Sequence, residues 1–421
     1  MKEFKISKET KNSLIFTVLI LVIFAIGSNI PVAGVSKESL QQVFNNDNSG
    51  LFDLYNLFTG GSFQNFTLFA LGVTPYITSS IIVQLLTVAF PYFEKLAQEG
   101  SEGRKKMAAI TRYMTIVLAL IQAAGMTVGL FRSALIDKST LTVISIVLTL
   151  TAGTTILMWL GEQINEHGIG NGMSLLIFAG IVMRLPVQIK DVVQRAVEGT
   201  LSWVAVIGIA ICAVAIVVAI IYVQGGVRKI PVQYAKRVSE RRTYGGQNTH
   251  IPMKLNASGV IPIIFAVSIL QFPLTFTYFF PQSDYTEFVN KYLSPNGSVG
   301  VWVYMGLNVV LVLFFTFFYT SIVFKPEEIA DQLKNNGGTI PAIRPGKPTE
   351  QYLKKISSCM CLLDALFLAA VSVLPVAIGT FTSLNLSLGG TSLLILVGVA
   401  TEFVNQIRSR ELMNKNHGFL I

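Results

Sequence analysis

The chain has 421 residues, 52% of them hydrophobic and only 13% charged, with a formal net charge of +9. A soluble domain averages about 25% charged residues, so the composition excludes an ordinary soluble domain, and equally a soluble protein with a single anchor. Three cysteines (Cys212, Cys359, Cys361) and three scattered histidines (His167, His250, His417) argue against a disulfide framework and against a His-rich metal site.

A membrane span needs about 20 mostly apolar residues. Ten such runs occur in chain order, at about 14–32, 67–91, 108–131, 141–160, 169–187, 202–223, 257–280, 299–324, 356–379 and 388–407. The first continues into Ile30-Pro31-Val32 with no small-residue cleavage site, so it is expected to be a retained span and not a removed signal. The second is unusual. Phe58–Leu86 is nearly charge-free, opens on Gly60–Gly61, carries Gln64, Asn65 and Thr67, and has Pro75 in its middle. Broken backbone at membrane depth is tolerated where it is buried in protein or lines a cavity. The stretch therefore points to a protein that holds an opening, with a short helical piece beside it. A kinked structural helix is the other reading, because Gly and Pro are common in membrane helices. The fifth span is the weakest, preceded by Gly168, Gly170 and Gly172 and interrupted by Arg184. The sixth carries no charge. In the ninth, Cys359 and Cys361 read as a buried pair of small apolar residues.

Charge tests the count. With the N-terminus in the cytoplasm, 25 of the 32 Lys and Arg residues fall on the cytoplasmic side. Cytoplasmic loops carry the Lys/Arg excess, and adding or removing one span scrambles the partition. Both termini are thus expected in the cytoplasm. Two long loops hold much of the charge. Loop 224–254 groups Lys236, Arg237, Arg241 and Arg242 around a single Glu240; its alternation, with Gly245–Gly246 in the middle, predicts a protruding hairpin. In loop 325–355, Pro341, Pro345 and Pro348 stiffen a turn that presents Arg344. Topology alone accounts for a few charges. Basic loops of this length also suit RNA phosphates, through counterion release, or an acidic protein face.

No catalytic motif stands out. A phosphate-cradling loop needs G-x-x-x-x-G-K-[ST], and around Gly346–Lys347 its outer positions are Pro341 and Pro348. Met173 stands where a dinucleotide fingerprint starting at Gly168 needs its third Gly. The chain is expected to bind and conduct, not to catalyse, and to need no cofactor or metal.

Six segments carry a family resemblance: Thr67–Leu86, Glu99–Thr115, Leu160–Gly172, Ile230–Pro262, Gly337–Leu353 and Gly389–Ala400. In these the chain resembles the SecY family, the channel subunits of the bacterial Sec protein translocase. The resemblance implies an all-α polytopic membrane protein with ten transmembrane helices in two inverted five-helix halves around an hourglass pore. The halves would be residues 1–190 and 202–421, joined by a hinge loop at 191–201. It implies a pore ring of apolar side chains at Ile77, Ile81, Met173, Ile177, Ile264 and Ile395. The pairs Ile77/Ile81 and Met173/Ile177 are four apart, so each pair shares a helix face. A tight apolar ring resists wetting and bars ions.

The resemblance further implies a half-helical plug over Leu57, Phe58, Thr59, Gly60, Gly61, Ser62, Phe63 and Gln64. A lateral gate is implied between spans two and seven, with Gln84 and Asn256 at its contacts. A docking surface for the SecA ATPase or the ribosome is implied at Arg344, Lys236, Arg237, Arg241 and Arg242. The implied partners are SecE and SecG subunits, SecA, the ribosome, signal sequences and nascent chains, and membrane lipid. Three positions depart from the family pattern: Ala25 replaces a usual Arg, Met173 a usual Ile, and Asp364 a small residue inside span nine. A secondary transporter, which shares broken helices and inverted halves, and an accessory family member with a narrow export set remain as alternatives.

Overall fold

The computed structural model describes residues 7–36, 38–40, 44, 56, 59–132, 134–199, 202–234, 237–239, 242–244, 248–277, 279–280, 283–293, 300–382 and 390–417. The first half holds α1 (Lys8–Gly27), α2 (Thr74–Ala89), α3 (Pro91–Gln98), α4 (Gly100–Gly125), α5 (Thr140–His167) and α6 (Gly172–Val197). The second holds α7 (Trp203–Gln224), α8 (Ile261–Thr277), α9 (Asp284–Tyr292), α10 (Gly300–Val323), α11 (Pro326–Asn335), α12 (Lys347–Thr382) and α13 (Gly390–His417). The short helices α3, α9 and α11 lie outside the spans. The remaining ten correspond one for one to the ten apolar runs.

Local chemistry sets the ends. Ser7, Ser139 and Ser202 cap α1, α5 and α7, each side chain accepting a backbone N–H of the first turn. Of the two readings of Phe58–Leu86, the kinked helix is not found at Pro75. The proline sits in the first turn of α2, where its missing N–H costs nothing. Residues 67–73 are turns, so the second span begins at Thr74 and not at Thr67. At Pro91 the chain bends by 101° into α3. Helix α4 runs into a π turn, Met126–Leu130.

The packing order repeats. In the first half α2 lies on α4 and α4 on α5; in the second α8 lies on α10 and α10 on α12. With five spans per half and a short link between, the second half must thread the membrane in the opposite sense. The halves meet along two seams. One joins α2 and α4 to α8, and the other joins α6 and α1 to α13. The link is shorter than the 191–201 stretch read from sequence, because α6 continues through Pro186 to Val197.

Loop 224–254 is a hairpin. β1 (Val227–Tyr234) pairs antiparallel with β4 (Asn248–Lys254), and β2 (Arg237–Ser239) with β3 (Arg242–Tyr244). Ser239 pairs with Arg242 across β2 and β3, while Gly245–Gly246, expected at the middle of the hairpin, lie outside the described residues. The second loop joins the first: β5 (Gly338–Thr339) pairs with the other edge of β1, giving the order β4-β1-β5. Ile230, Val232, Met253, Leu333, Ile340 and Leu353 form a separate apolar core beneath this sheet. The two cysteines of span nine part company: Cys361 is buried and donates to Thr320 Oγ1, while Cys359 is exposed.

Candidate functional site

The six apolar positions read from the sequence lie on four helices: Ile77 and Ile81 on α2, Met173 and Ile177 on α6, Ile264 on α8 and Ile395 on α13. Each is between 0% and 7% exposed. All six belong to one continuous buried cluster, which every spanning helix except α4 enters. Both halves therefore supply the apolar centre, where α2 meets α8 and α6 meets α13.

The GIGNG turn aims Met173 into this centre. Asn171 Oδ1 accepts the Met173 and Ser174 N–H groups at 3.1 and 3.3 Å, capping α6. Asn165 Oδ1 takes the Gly172 N–H at 2.8 Å. Gly172 must be glycine, since a Cβ there would overlap the Gly161 carbonyl of α5. The Met173 thioether then lies over Gly161; a Cβ at Gly161 would stand 2.8 Å from its sulfur. Glycine at both positions lets α5 and α6 approach closely.

The glycine-rich segment before α2 rests on the same helix. Leu57 and Phe58 lie outside the described residues; Thr59 to Gln64 form tight turns and not the half-helix expected. Gly60 has φ +65°, and a Cβ on it would come within 2.8 Å of the Gly180 Cα. Gly180 is three residues beyond Ile177 on α6, so the segment touches backbone to backbone next to the apolar centre. Gln64 is held twice: its Oε1 accepts from Asn56 Nδ2 at 2.9 Å and from Arg184 Nη2 at 3.5 Å. Its own N–H donates to Asn56 Oδ1 at 3.2 Å. The arginine that interrupted span five thus serves this segment. Phe63, fully buried, packs edge-on to Phe131 at 5.7 Å, within a second apolar cluster that includes Val32, Phe66 and Ile146.

Gln84 and Asn256 each bond within their own segment. Gln84 Nε2 donates to Ser80 Oγ at 3.3 Å, and its buried Oε1 has no partner among the described residues. Asn256 Oδ1 accepts the Gly259 N–H and turns the chain into α8. The α2–α8 contact is present, but it is carried by apolar packing and not by a bond between these two residues.

On the loops, Arg344 is exposed and its carbonyl accepts from Thr349 Oγ1 at 2.8 Å. Ala342, two residues earlier, has φ +64°, an uncommon conformation for a residue with a Cβ. Lys236 and Arg241 lie outside the described residues, while Arg237 and Arg242 stand in β2 and β3. Sequence reasoning did not foresee that the two basic loops share one sheet. β5 is two residues long and carries no periodic signal.

Comparison with known proteins fixes the family. The SecY family model matches residues 67–404. The chain belongs to the SecY family. It is 43% identical to protein translocase subunit SecY of Bacillus subtilis (strain 168), over 98% of this chain and 97% of that protein. It is 41% identical to protein translocase subunit SecY of Mycobacterium tuberculosis (strain ATCC 25618 / H37Rv), with the same coverage. Among solved structures, one described as a protein conducting channel matches 99% of this chain and 97% of its own, with TM-score 0.71 and 21% identity. Sec61 in the canine ribosome-channel complex from the endoplasmic reticulum matches the same shares, with TM-score 0.66 and 20% identity. The chain therefore has the SecY fold and is a multi-pass membrane protein.

Proposed function

We propose that the chain is the channel subunit of a protein translocase. It passes unfolded polypeptides across the bacterial cytoplasmic membrane and releases hydrophobic segments sideways into lipid. The observation that carries this reading is a family relationship spanning nearly the whole chain, joined to an apolar centre built by both halves. The transporter alternative wants polar or ionisable groups at the midplane, whereas the cluster there is apolar. The relatives reported above carry the general translocase name, which favours broad over narrow export.

In this reading Ile77, Ile81, Met173, Ile177, Ile264 and Ile395 form the ring of an hourglass pore. Leu57–Gln64 is the plug, seated on Gly180 and held through Gln64. The linker between the halves, read from the sequence at 191–201, acts as the hinge, on the side where α6 meets α13. The opposite seam, α2 with α8, opens as the gate. A signal sequence leaves through it because burial of its apolar side chains in lipid is favourable. Gln84 and Asn256 flank that seam. Arg344, with Lys236, Arg237, Arg241 and Arg242, offers cations to the SecA motor or to ribosomal RNA. SecE and SecG complete the assembly. Both termini are cytoplasmic, and the chain conducts without catalysing.

Depletion tests the reading. Loss of the chain should stall export of many unrelated precursors at once. Accumulation of only one or two would overturn it in favour of a narrow export role.

A further inference from the structure

The segment between the basic hairpin and α8 is six residues long, 255–260, and it is fixed at three points. At its start, the Leu255 N–H donates to the Gly226 carbonyl at 2.8 Å, closing the β1/β4 ladder. At its end, Val260 is wedged against Gly398 of α13, where no Cβ fits. Between them, Ser258 Oγ donates to Asp364 Oδ2 of α12 at 3.0 Å. Ser258 and Asp364 are 2% and 1% exposed. The other carboxylate oxygen, Asp364 Oδ1, has no partner among the described residues.

That arrangement is poor as plain packing. A carboxyl group buried in a spanning helix is costly, and one serine hydroxyl is a small return. An apolar side chain would pack α12 at less cost. What the bond does provide is position. Helix α12 is itself fastened to α10, through Cys361 to Thr320 and through Ser372 to Asn308 at 2.8 Å. Asp364 thus joins the start of α8 to a rigid pair of helices.

We propose that Asp364 is a positioning residue of the gate. It pins Ser258, so that a partner pulling on the basic hairpin turns α8 about this point instead of sliding it. Ser258, Asp364, α10 and α12 all belong to the second half, so the pin fixes where α8 stands on its own half and thereby the face it presents to α2 across the seam. The proposal rests on reading the α2–α8 seam as the gate.

The test uses the full chain with its partner subunits in the membrane. Export of a precursor with a weakened signal is measured relative to one with an intact signal, alongside the amount of folded chain. Asp364→Leu and Ser258→Ala should each raise that ratio roughly tenfold, the change that a lost hydrogen bond to a buried carboxylate makes in a two-state equilibrium. The double variant should match the single ones, because both remove the same bond. Asp364→Asn keeps an acceptor for Ser258 and should stay near the parent. Ser258→Ala removes only a hydroxyl, so it reads the proposal even where Asp364→Leu does not accumulate. An unchanged or lower ratio, or additive effects in the double variant, overturns the proposal. A cysteine crosslink between α2 and α8 separates the two readings. Continued export through the crosslinked protein overturns the gate itself. A block by the crosslink, with an unchanged ratio in Ser258→Ala, overturns only the pin.

Discussion

Helices α6 and α7 follow one another in the chain, yet eleven residues of α6 are buried while in α7 only Ile220 is. Their sequences suggest the reverse ranking. α7 is an unbroken apolar run; α6 carries Ser174, Arg184, Gln188 and Lys190. Lipid tails are as apolar as a leucine side chain, so apolarity does not drive one spanning helix onto another. Close approach does, and it comes from small residues and a few bonded polar groups. Helix α6 has Gly172 against Gly161, Gly180 against Gly60, and Arg184 on Gln64. Helix α7 has Gly208, which meets nothing within 4 Å. The glycines of these two helices let the comparison be broken or sharpened one methyl group at a time.

Gly172→Ala should have the largest effect. Its methyl group would overlap a backbone carbonyl, which cannot rotate away, so α5 and α6 must part. Overpacking of this kind costs about 3 kcal/mol at the upper end of its usual range. Thermal unfolding of the purified protein should show a clear loss of stability, and the folded amount in the membrane should fall. A variant as stable as the parent would mean that the α5–α6 approach is looser than described.

Gly161→Ala should be milder and more informative about the proposed ring. Here the added methyl meets the flexible end of Met173, Cε at 2.7 Å and Sδ at 2.8 Å, and a methionine can give way. The expected stability cost is about 1 kcal/mol. Moving Met173 should also loosen the apolar centre, so ion leak through reconstituted protein should rise while the folded amount stays close to the parent's. Normal stability with no added leak would argue against Met173 as part of the seal.

These cases show what was legible in the sequence. The ten spans were, because each is a long apolar run, and so was the hairpin, through its alternation. The six apolar positions were reachable only through the family, since any one isoleucine in an apolar helix looks like its neighbours. What could not be read depends on partners distant in the chain. Arg184 looked like an interruption until Gln64 stood beside it, 120 residues away. The β1–β5 pairing joins loops about a hundred residues apart through a two-residue strand. The turns at Thr59–Gln64 replaced an expected half-helix because the positive-φ backbone of Gly60 and Gly61 does not continue a right-handed helix. Pro75 left two readings open in the sequence, because its meaning depends on whether a helix passes through it or starts at it.

Gly208→Ala closes the series with the smallest effect and the opposite sign. Gly208 lies within α7, between exposed Val204, Ile207 and Ile211, with open space where its Cβ would be. No neighbour has to move. What remains is backbone propensity, where alanine is better than glycine by about 1 kcal/mol in a helix in water. In lipid the unfolded alternative is restricted as well, so the gain should be a fraction of that. Unfolding temperature should hold or rise slightly, and export and ion leak should match the parent. A loss comparable to that of Gly172→Ala would show that this face of α7 is covered in the assembled protein, by a partner subunit seated where lipid is assumed.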